Sequence, residues 1–410
     1  MRTGESDGKQ PLRGAIVLGG AHGSLSIARS LGRRGIPVCF VTGEASLTSA
    51  SRYVVTRRWP TESDEGRVQY LLDLGNRSGY RGWTLFAASD NDVRFVATHH
   101  AALQQMFCST CADWSILAHA YDKALSYQLA CRTHVDIPWT ATPSDRDEVA
   151  RLDCPFPAIL KPATKPERNA FTQAKAWAAP DREALVRLYD EAVSLVDAQS
   201  ILIQEQVPGA GETQFSYAAL WWDGRPLATL VARRLRQFPI DFGLSSTYVE
   251  TTEAPGVEEA STRLLAALRY QGLVEVEFKF DVRDLKYKLL DINPRCWTWH
   301  ELGRTAGVDF PYLAWRASQG LEVQPVRGRA GARWLYFSRD LVAATMEIRR
   351  KRLTFGSYLR SLAGPKAFAV FAIDDPLPAA VEVPLLLSRL PLHSRLAPPS
   401  RGPVTAHCRS

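Results

Sequence analysis

The chain has 410 residues, of which 46% are hydrophobic and 23% are charged, and its formal net charge is +7. These values are ordinary for globular proteins, so they exclude a fibrous repeat and wholesale disorder, and the length predicts two or three domains. The basic residues are spread along the chain, and their longest cluster covers only residues 349–352. Without a recognised binding module, this charge does not predict a nucleic-acid partner.

The cysteines and the apolar segments predict the compartment. The seven cysteines are scattered, so they do not form a disulfide framework. Cys108 and Cys111 have metal-ligand spacing, but no second Cys or His pair completes a zinc site. The beginning of the sequence has no apolar signal region, and the apolar run at residues 367–373 is too short to span a bilayer. We therefore expect a cytoplasmic protein with no membrane partner.

The first hundred residues alternate between strand and helix patterns. Residues 1–12 are polar and are predicted to be a flexible tail. An apolar run at 15–18 leads into a glycine turn and a helical pattern, and further buried strands follow at 36–41 and 85–88. This pattern predicts an open, parallel α/β domain over residues 13–112. The glycine turn could approach a dinucleotide, but its spacing fits poorly, so a tight connection or a substrate-side role is favoured.

The pattern changes from about residue 113. Helical patterns at 121–132 and 182–196 alternate with strand patterns that continue to Asn293, which indicates an α+β domain. Residues 326–395 are predicted to form a small C-terminal α/β subdomain that begins with a linker. The remaining residues, 396–410, are predicted to be a second flexible tail.

An acidic hairpin is the first candidate site. Strict alternation places its polar residues on one face, and a turn centred on Asp284 pairs Glu277 with Asp291 and Glu275 with Asn293. Facing carboxylates destabilise a strand pair unless a cation lies between them, and oxygen ligands of this density suit Mg²⁺ bound together with phosphate oxygens. A solvated face, neutralised by lysines of the same strands, is an equally good interpretation of the hairpin alone.

Two lysines and a third strand extend this candidate site. Lys161 ends an apolar strand, where an unpaired ammonium group is costly, and Lys123 begins a helix, which is an unfavourable place for a cation. Each lysine alone is more often a surface residue, but together they could hold phosphate groups. Another apolar strand ends at Glu205, whose carboxylate and following backbone could contact adenine. Glu212 could then contact a ribose hydroxyl.

In this order, the elements resemble those of ATP-grasp enzymes of the carboxylate-amine (or thiol) ligase type, over residues 117–320. The resemblance implies an α/β and α+β fold, with a Rossmann-like pre-ATP-grasp domain in front. It implies a two-lobed ATP-grasp domain at 113–325, with an N-lobe at about 113–203 and a C-lobe at about 204–325. The implied cofactors are ATP and Mg²⁺, with Mn²⁺ as a substitute.

The resemblance also implies roles for individual residues. These roles are phosphate binding by Lys123 and Lys161, adenine and ribose contacts by Glu205, Gln206, Val207 and Glu212, and metal binding by Glu277, Asp291 and Asn293. Arg295 and Arg236 are expected to stabilise the reacting groups. Arg236 belongs to a stretch, 234–239 with 243–246, that fits the part of the site near the γ-phosphate. The acceptor side is expected at His22, at 89–91 and at 295–300, where Trp297 and Trp299 could stack on a substrate or belong to the core.

Two features depart from the family pattern. Asp291 stands where Glu is commoner, and its shorter side chain changes how it can reach a metal ion. The loop after Lys161 lacks the glycines that form a lid over the phosphates in many relatives. Lys165, Arg168 or Lys175 could substitute for that lid.

The implied function is an ADP-forming ligase that activates a small carboxylic or amino acid as an acyl phosphate and joins it to an amine. Its partners would be these small molecules, and a homodimer is considered. Two alternatives remain open at this stage. The same cleft could serve a kinase or phosphotransferase, or it could belong to a non-catalytic ATP-binding regulator.

Overall fold

A computed structural model describes residues 13–20, 22–164, 169–174, 176–240 and 245–388. These residues form a mixed α/β fold with one parallel sheet, one antiparallel sheet and one larger sheet that is mainly antiparallel. Within the described ranges, no helix is long and apolar enough to cross a membrane. The two predicted tails, 1–12 and 396–410, lie outside the described residues.

The first region contains the parallel sheet, with strand order β3-β2-β1-β4-β5. Its elements are β1 (Ala15–Leu18), α1 (His22–Gly32), β2 (Val38–Thr42), β3 (Val54–Arg58), α2 (Asp64–Arg77), β4 (Thr84–Ala87), α3 (Asp90–Thr98), α4 (His100–Leu103) and β5 (Cys108–Ser109). Every residue of β1 is buried, as an apolar run in a parallel sheet predicts. Gly19 and Gly20 follow it with φ values of 54° and 77°, which residues with side chains rarely adopt.

The second region contains the four-stranded antiparallel sheet, with order β6-β9-β7-β8. Its elements are α5 (Trp114–Tyr121), α6 (Lys123–Arg132), β6 (Thr140–Ala141), α7 (Arg146–Arg151), β7 (Ala158–Pro162), α8 (Ala170–Gln173), β8 (Trp177–Ala179), α9 (Arg182–Val193) and β9 (Ile201–Glu205). The helix predicted from residue 121 instead begins at Lys123. Asp122 caps it, because its carboxylate accepts hydrogen bonds from the Ala124 and Leu125 N–H groups.

The third region contains the largest sheet, with order β14-β13-β10-β11-β12-β16-β17 and β15 paired with β11. Its elements are β10 (Gln214–Trp222), β11 (Arg225–Phe238), β12 (Ser245–Thr252), α10 (Pro255–Ala267), β13 (Gly272–Asp281), β14 (Lys286–Asn293), α11 (Glu301–Ala306), α12 (Phe310–Ser318), β15 (Val326–Arg327), β16 (Arg333–Leu335), α13 (Phe337–Arg349), α14 (Phe355–Ser361), β17 (Ala367–Phe368) and α15 (Leu377–Ser388). Strand β15 therefore lies inside the predicted linker. The described strands after it, β16 and β17, extend the sheet of β10 to β14 and do not form a separate sheet.

Contacts between the regions bring the end of β4 close to the β13–β14 hairpin. Helix α12 packs between α1 and strand β10, and its Trp315 Nε1 donates to the carbonyl of Arg13, just before β1, at 3.0 Å. On the other side of α1, buried Arg29 forms an ion pair with buried Asp375 at 2.9 Å. The polar residues that follow β4 and the acidic residues of the hairpin line the same cavity. The candidate site lies at this edge of the parallel sheet.

Candidate active site

The hairpin has the register that its sequence predicts at the acidic end. Glu277 pairs with Asp291, and Glu275 pairs with Asn293. A bulge at Leu290 then shifts the pairing by one residue toward the turn, so the turn is not centred where the sequence suggested. The extra residue of the bulge, Leu290, lines the first of two cavities that are described below.

Hydrogen bonds hold the acidic residues side by side. The Asn293 side-chain nitrogen donates to Glu275 at 3.1 Å and to Glu277 at 3.2 Å. Gln214 donates to the other oxygen of Glu277 at 2.6 Å, and Trp299 Nε1 donates to Glu275 at 3.1 Å. Because the amide nitrogen of Asn293 faces the glutamates, its amide oxygen remains as the atom that can bind a metal ion.

Glu275 and Glu277 place two carboxylates side by side in the buried part of the hairpin. Burial raises the pKa of Glu275 to about 7, and the charge of Glu277 acts in the same direction. Two cations lie nearby: Lys123 Nζ is 3.0 Å from an Asp291 oxygen, and Arg234 is 3.7 Å from a Glu277 oxygen. A further cation at this position would therefore be favourable.

The donor set fits Mg²⁺. Within the described part of the chain, no three His, Cys, Asp or Glu side chains converge as a metal site. Magnesium does not need such a set, because it is usually held by one or two carboxylates and completes its shell with water and phosphate oxygens. Glu277, Asp291 and Asn293 provide two carboxylates and an amide oxygen. A metal ion there would share Asp291 with Lys123.

The two predicted phosphate-binding lysines lie in different environments. The Lys123 N–H donates to the Ala163 carbonyl at 3.2 Å, which ties the start of α6 to the end of β7. Burial opposes the charged form of Lys123, but Asp291 raises its pKa. Lys161 is buried and donates to the Tyr127 hydroxyl. Burial, reinforced by the charge of Lys123, lowers the pKa of Lys161 to about 7.

Two cavities meet at Lys123, Glu277 and Asp291, which line both of them. The first, of about 500 Å³, lies between the two antiparallel sheets. Among its lining residues are Ile159, Lys161, Glu205, Gln206, Val207, Gly209, Ala210 and Leu290. The second, of about 430 Å³, lies toward the parallel sheet. Among its lining residues are Ser89, Asp90, Asn91, Arg234, Ser245, Ser246, Glu275, Asn293, Arg295, Thr298 and Trp299.

Glu205 lines the first cavity, but its carboxylate is already engaged. It accepts from the Trp139 N–H at 3.0 Å, from Lys288 at 2.9 Å and from Arg283 at 2.6 Å. Burial opposes ionisation, yet the Lys288 hydrogen bond and the other donors lower the Glu205 pKa. These contacts hold the Glu205 carboxylate in place at the cavity wall, and its contact with adenine stays a prediction. The Gln206 N–H also donates within the protein, to the Pro157 carbonyl at 2.9 Å, so a ligand would contact the Gln206 carbonyl or the Val207 backbone.

Glu212 and Arg236 line neither of the two cavities. Glu212 is exposed and accepts from the Ala210 N–H at 3.3 Å, next to the first cavity. Strand β11 has a bulge at Leu235, which changes the direction of the following side chain. Arg236 consequently forms two hydrogen bonds, of 2.9 and 2.8 Å, with buried Asp340. The structure brings Arg234, rather than Arg236, into the second cavity.

The predicted acceptor side is partly brought together. Arg295 donates to Asp90 at the start of α3, so it links the hairpin to the parallel sheet. Burial opposes the Arg295 cation, but Asp90 raises its pKa. Trp297 and His300 belong to the buried core and do not line the cavity. The His22 side chain, Lys165, Arg168, Lys175 and residues 243–244 lie outside the described residues.

Two site residues lay in the predicted segments but were given no role of their own. The strict alternation of β13 placed Glu275 on the same face as Glu277, and the structure confirms this placement. Arg234 lies two residues before the expected arginine, and no pattern in the sequence indicates the bulge between them. Both residues line the second cavity.

Comparison with known proteins finds a similar ligase sequence and similar folds. No family model matches the chain. A D-aspartate ligase of Enterococcus faecium is 22% identical over 302 residues, which cover 68% of this chain and 70% of the ligase. The biotin carboxylase domain of 2-oxoglutarate carboxylase from Hydrogenobacter thermophilus, solved with MgADP and bicarbonate, has a TM-score of 0.62 at 14% identity, over 79% of this chain and 74% of that one. An L-amino acid ligase from Bacillus licheniformis has a TM-score of 0.59 at 13% identity, over 76% and 75% of the two chains.

The chain has the fold of this biotin carboxylase domain and of the L-amino acid ligase, which agrees with the ATP-grasp resemblance of its motifs. The similarity to the D-aspartate ligase, together with the fold shared with the L-amino acid ligase, supports an enzyme that forms carbon–nitrogen bonds with ATP. The predicted cofactors, ATP and magnesium, agree with the nucleotides and magnesium bound in the solved structures.

Proposed function

We propose that the chain is an ADP-forming ligase that activates a small carboxylic or amino acid as an acyl phosphate and joins it to an amine. The observation that carries this proposal is the meeting of two cavities at Lys123, Glu277 and Asp291. A nucleotide in one cavity and an acid in the other would have their reacting groups at this junction. Phosphoryl transfer requires such close positioning.

The proposal includes the domain layout that the resemblance implies. Residues 13–112 would be the pre-ATP-grasp domain, residues 113–325 the two-lobed ATP-grasp domain, and residues 326–395 the C-terminal subdomain. A cytoplasmic location, where ATP is available, fits this activity. A homodimer stays a prediction.

In the first cavity, the backbone of Gln206 and Val207 would contact the adenine edge. Glu212, beside that cavity, would contact the ribose. Lys123 and Lys161 would hold the phosphates, because ammonium groups near phosphate oxygens offset their negative charge. Glu277, Asp291 and Asn293 would hold Mg²⁺, which, when bound, offsets negative charge on the phosphate oxygens.

The second cavity would position the acid and the amine. A carboxylate is a poor acyl donor, because its oxygen is a poor leaving group. When a carboxylate oxygen takes the γ-phosphoryl group, ADP leaves and the acid becomes a mixed anhydride. The amine then attacks the carbonyl carbon, and phosphate leaves. Arg295 and Arg234 would donate hydrogen bonds to the carboxylate and to the oxyanion that forms during the attack.

The charges of the second cavity favour an amino acid as a substrate. Arg234 and Arg295 can attract a carboxylate, whereas Asp90 and Glu275 can attract an ammonium group. A zwitterion carries both groups. The names of the D-aspartate ligase and the L-amino acid ligase point to the same class of substrate.

Product analysis with a panel of amino acids and amines tests the proposal. A ligase releases ADP and free phosphate only when both an acid and an amine are present, and it forms an amide. A kinase or phosphotransferase leaves a stable phosphorylated product and no free phosphate. A regulator binds ATP without turnover. Either of the last two results would overturn the proposal.

A further inference from the structure

Exposed apolar side chains are concentrated on two C-terminal helices. Of the eighteen large hydrophobic residues that are exposed in the described part of the chain, ten lie between residues 337 and 383. Five of them define what we call the apolar face, with exposed fractions between 47% and 64%. These are Phe337, Leu341 and Val342 on α13, and Phe355 and Leu359 on α14.

The spacing of these residues shows that each helix directs an apolar stripe outward. On α13, Phe337 and Leu341 are one turn apart and Val342 follows Leu341, whereas Asp340 and Ala343 are buried on the other side of the helix. On α14, positions 355 and 359 are one turn apart, and Tyr358 is buried. Helices on the surface of a globular protein normally direct polar residues outward, so this arrangement indicates a binding surface.

Positive charge accompanies the apolar face. Residues 337–366 contain seven basic and two acidic residues. Both acidic residues are already paired: buried Asp340 with Arg236, and Glu347 with Arg352 at 2.7 Å. The exposed basic residues 349–352, which we call the basic loop, begin at the last residue of α13 and continue into the connection to α14. The face therefore combines apolar side chains with a basic loop.

We propose that the apolar face and the basic loop bind the surface of a membrane that contains anionic lipids. Apolar side chains would enter the boundary between headgroups and acyl chains, and the basic loop would contact lipid phosphates. A second copy of the chain fits less well, because its face carries the same positive charge. The expectation of no membrane partner was based on the lack of a spanning segment, and a surface contact requires none.

Co-sedimentation of the full-length chain with lipid vesicles tests this proposal. We expect binding to phosphatidylcholine vesicles that contain phosphatidylglycerol to be at least about tenfold stronger than binding to phosphatidylcholine alone. This preference should weaken as salt rises, because salt screens the attraction. Equal binding to the two kinds of vesicle, or no binding to either, would overturn the proposal.

Two sets of variants test the basic loop and the apolar face in turn. The combined substitutions Arg349→Glu, Arg350→Glu and Lys351→Glu should remove the preference for anionic vesicles. Leu341→Glu with Phe355→Glu should reduce binding to anionic vesicles at low salt by about tenfold or more. Arg352 is left unchanged in both sets, because it also lines the first cavity.

The control is Val55→Glu, which changes an equally exposed apolar residue on the edge strand β3. It should bind vesicles like the original chain. Thermal melting of every variant checks that the fold is retained. If Val55→Glu lost as much binding as the face variants, the proposal would be wrong. It would also be wrong if light scattering showed a dimer that Leu341→Glu with Phe355→Glu dissociates, because a second copy would then cover the face.

Discussion

The β13–β14 hairpin has buried carboxylates at both ends, and the two ends differ in how these charges are balanced. At the turn end, Lys288 Nζ lies 2.9 Å from Glu205 and 2.8 Å from Asp281, and Arg283 contacts both carboxylates. Hydrogen bonds from Arg283 and Lys288 lower the pKa of Asp281, although burial opposes the shift. Each carboxylate at this end has cations in direct contact.

At the open end, the same strands hold Glu275, Glu277 and Asp291. Lys123 contacts Asp291, but Arg234 stays 3.7 Å from Glu277, and burial raises the pKa of Glu275 to about 7. The turn end therefore stabilises the fold, whereas the open end keeps a negative charge that a metal ion and its phosphates can offset. Proteins often accept such a cost at functional sites.

The largest expected effect concerns the open end. Glu277→Gln and Asn293→Ala should each reduce ATP-dependent turnover by about 10³-fold or more, equivalent to about 4 kcal/mol, because each removes a metal ligand. Both variants should stay folded. For Glu277→Gln, the metal-free protein should melt no lower than the original chain, since one buried charge is gone.

Phosphate release under saturating substrates measures this prediction, and circular dichroism checks the fold. The control is Glu259→Gln, which makes the same chemical change at an exposed position on α10 and should keep full turnover. Full turnover in either site variant would show that the metal assignment is wrong.

The second expected effect concerns the turn end. Lys288→Met should lower the free energy of unfolding by about 3 kcal/mol, because it leaves Glu205 and Asp281 buried with less compensation. The value is at the lower end for buried pairs, because half-exposed Arg283 remains in contact with both carboxylates. Urea unfolding measures the change.

Lys286→Met is the matched control on the same strand. Lys286 pairs with Asp136 at 2.7 Å, but both side chains are exposed, so its loss should cost less than about 1 kcal/mol. If the two variants were equally stable, the turn end would not be the stabilising part of the hairpin, and the contrast between the ends would fail.

The sequence predicts the open end better than the turn end. Strict alternation along β13 places Glu275 and Glu277 on one face, and the pairing of Glu277 with Asp291 follows from a short turn. These are local properties. The contact between Glu205 and Lys288, by contrast, joins residues 83 positions apart, and no local pattern encodes it.

Other differences also have physical reasons. The bulge at Leu235 directs Arg236 toward Asp340, and such bulges leave no clear mark in a single sequence. Strands β15 and β17 have two residues each, so they are too short to show an alternation, and their addition to the large sheet was not predictable. The positions of Lys123, Lys161 and Glu205 at a helix start or near a strand end were predictable, because each belongs to a pattern that is local in the sequence.

The smallest expected effect is a proton uptake at Lys161, whose surroundings differ from those of Lys288. Lys288 contacts three carboxylates, whose hydrogen bonds raise its pKa although burial opposes them. Lys161 donates to a tyrosine hydroxyl, and burial together with the charge of Lys123 lowers its pKa from 10.5 to about 7. At pH values between about 7 and 10.5, Lys161 is less protonated in the folded protein than in the unfolded chain. The cost of charging Lys161 in the fold is therefore fully present below pH 7 and disappears as the pH rises toward 10.5.

Phosphate groups next to Lys161 should raise its pKa again, so ATP binding should take up a proton. The uptake should be small at pH 6, where Lys161 is already charged, and should approach about one proton at pH 8. Calorimetry in two buffers with different ionisation enthalpies measures it. Lys161→Arg is the decisive variant, because arginine stays charged at both pH values, so the variant should bind ATP without proton uptake. A binding heat that is independent of the buffer in the original chain at pH 8 would show that Lys161 does not meet the phosphates.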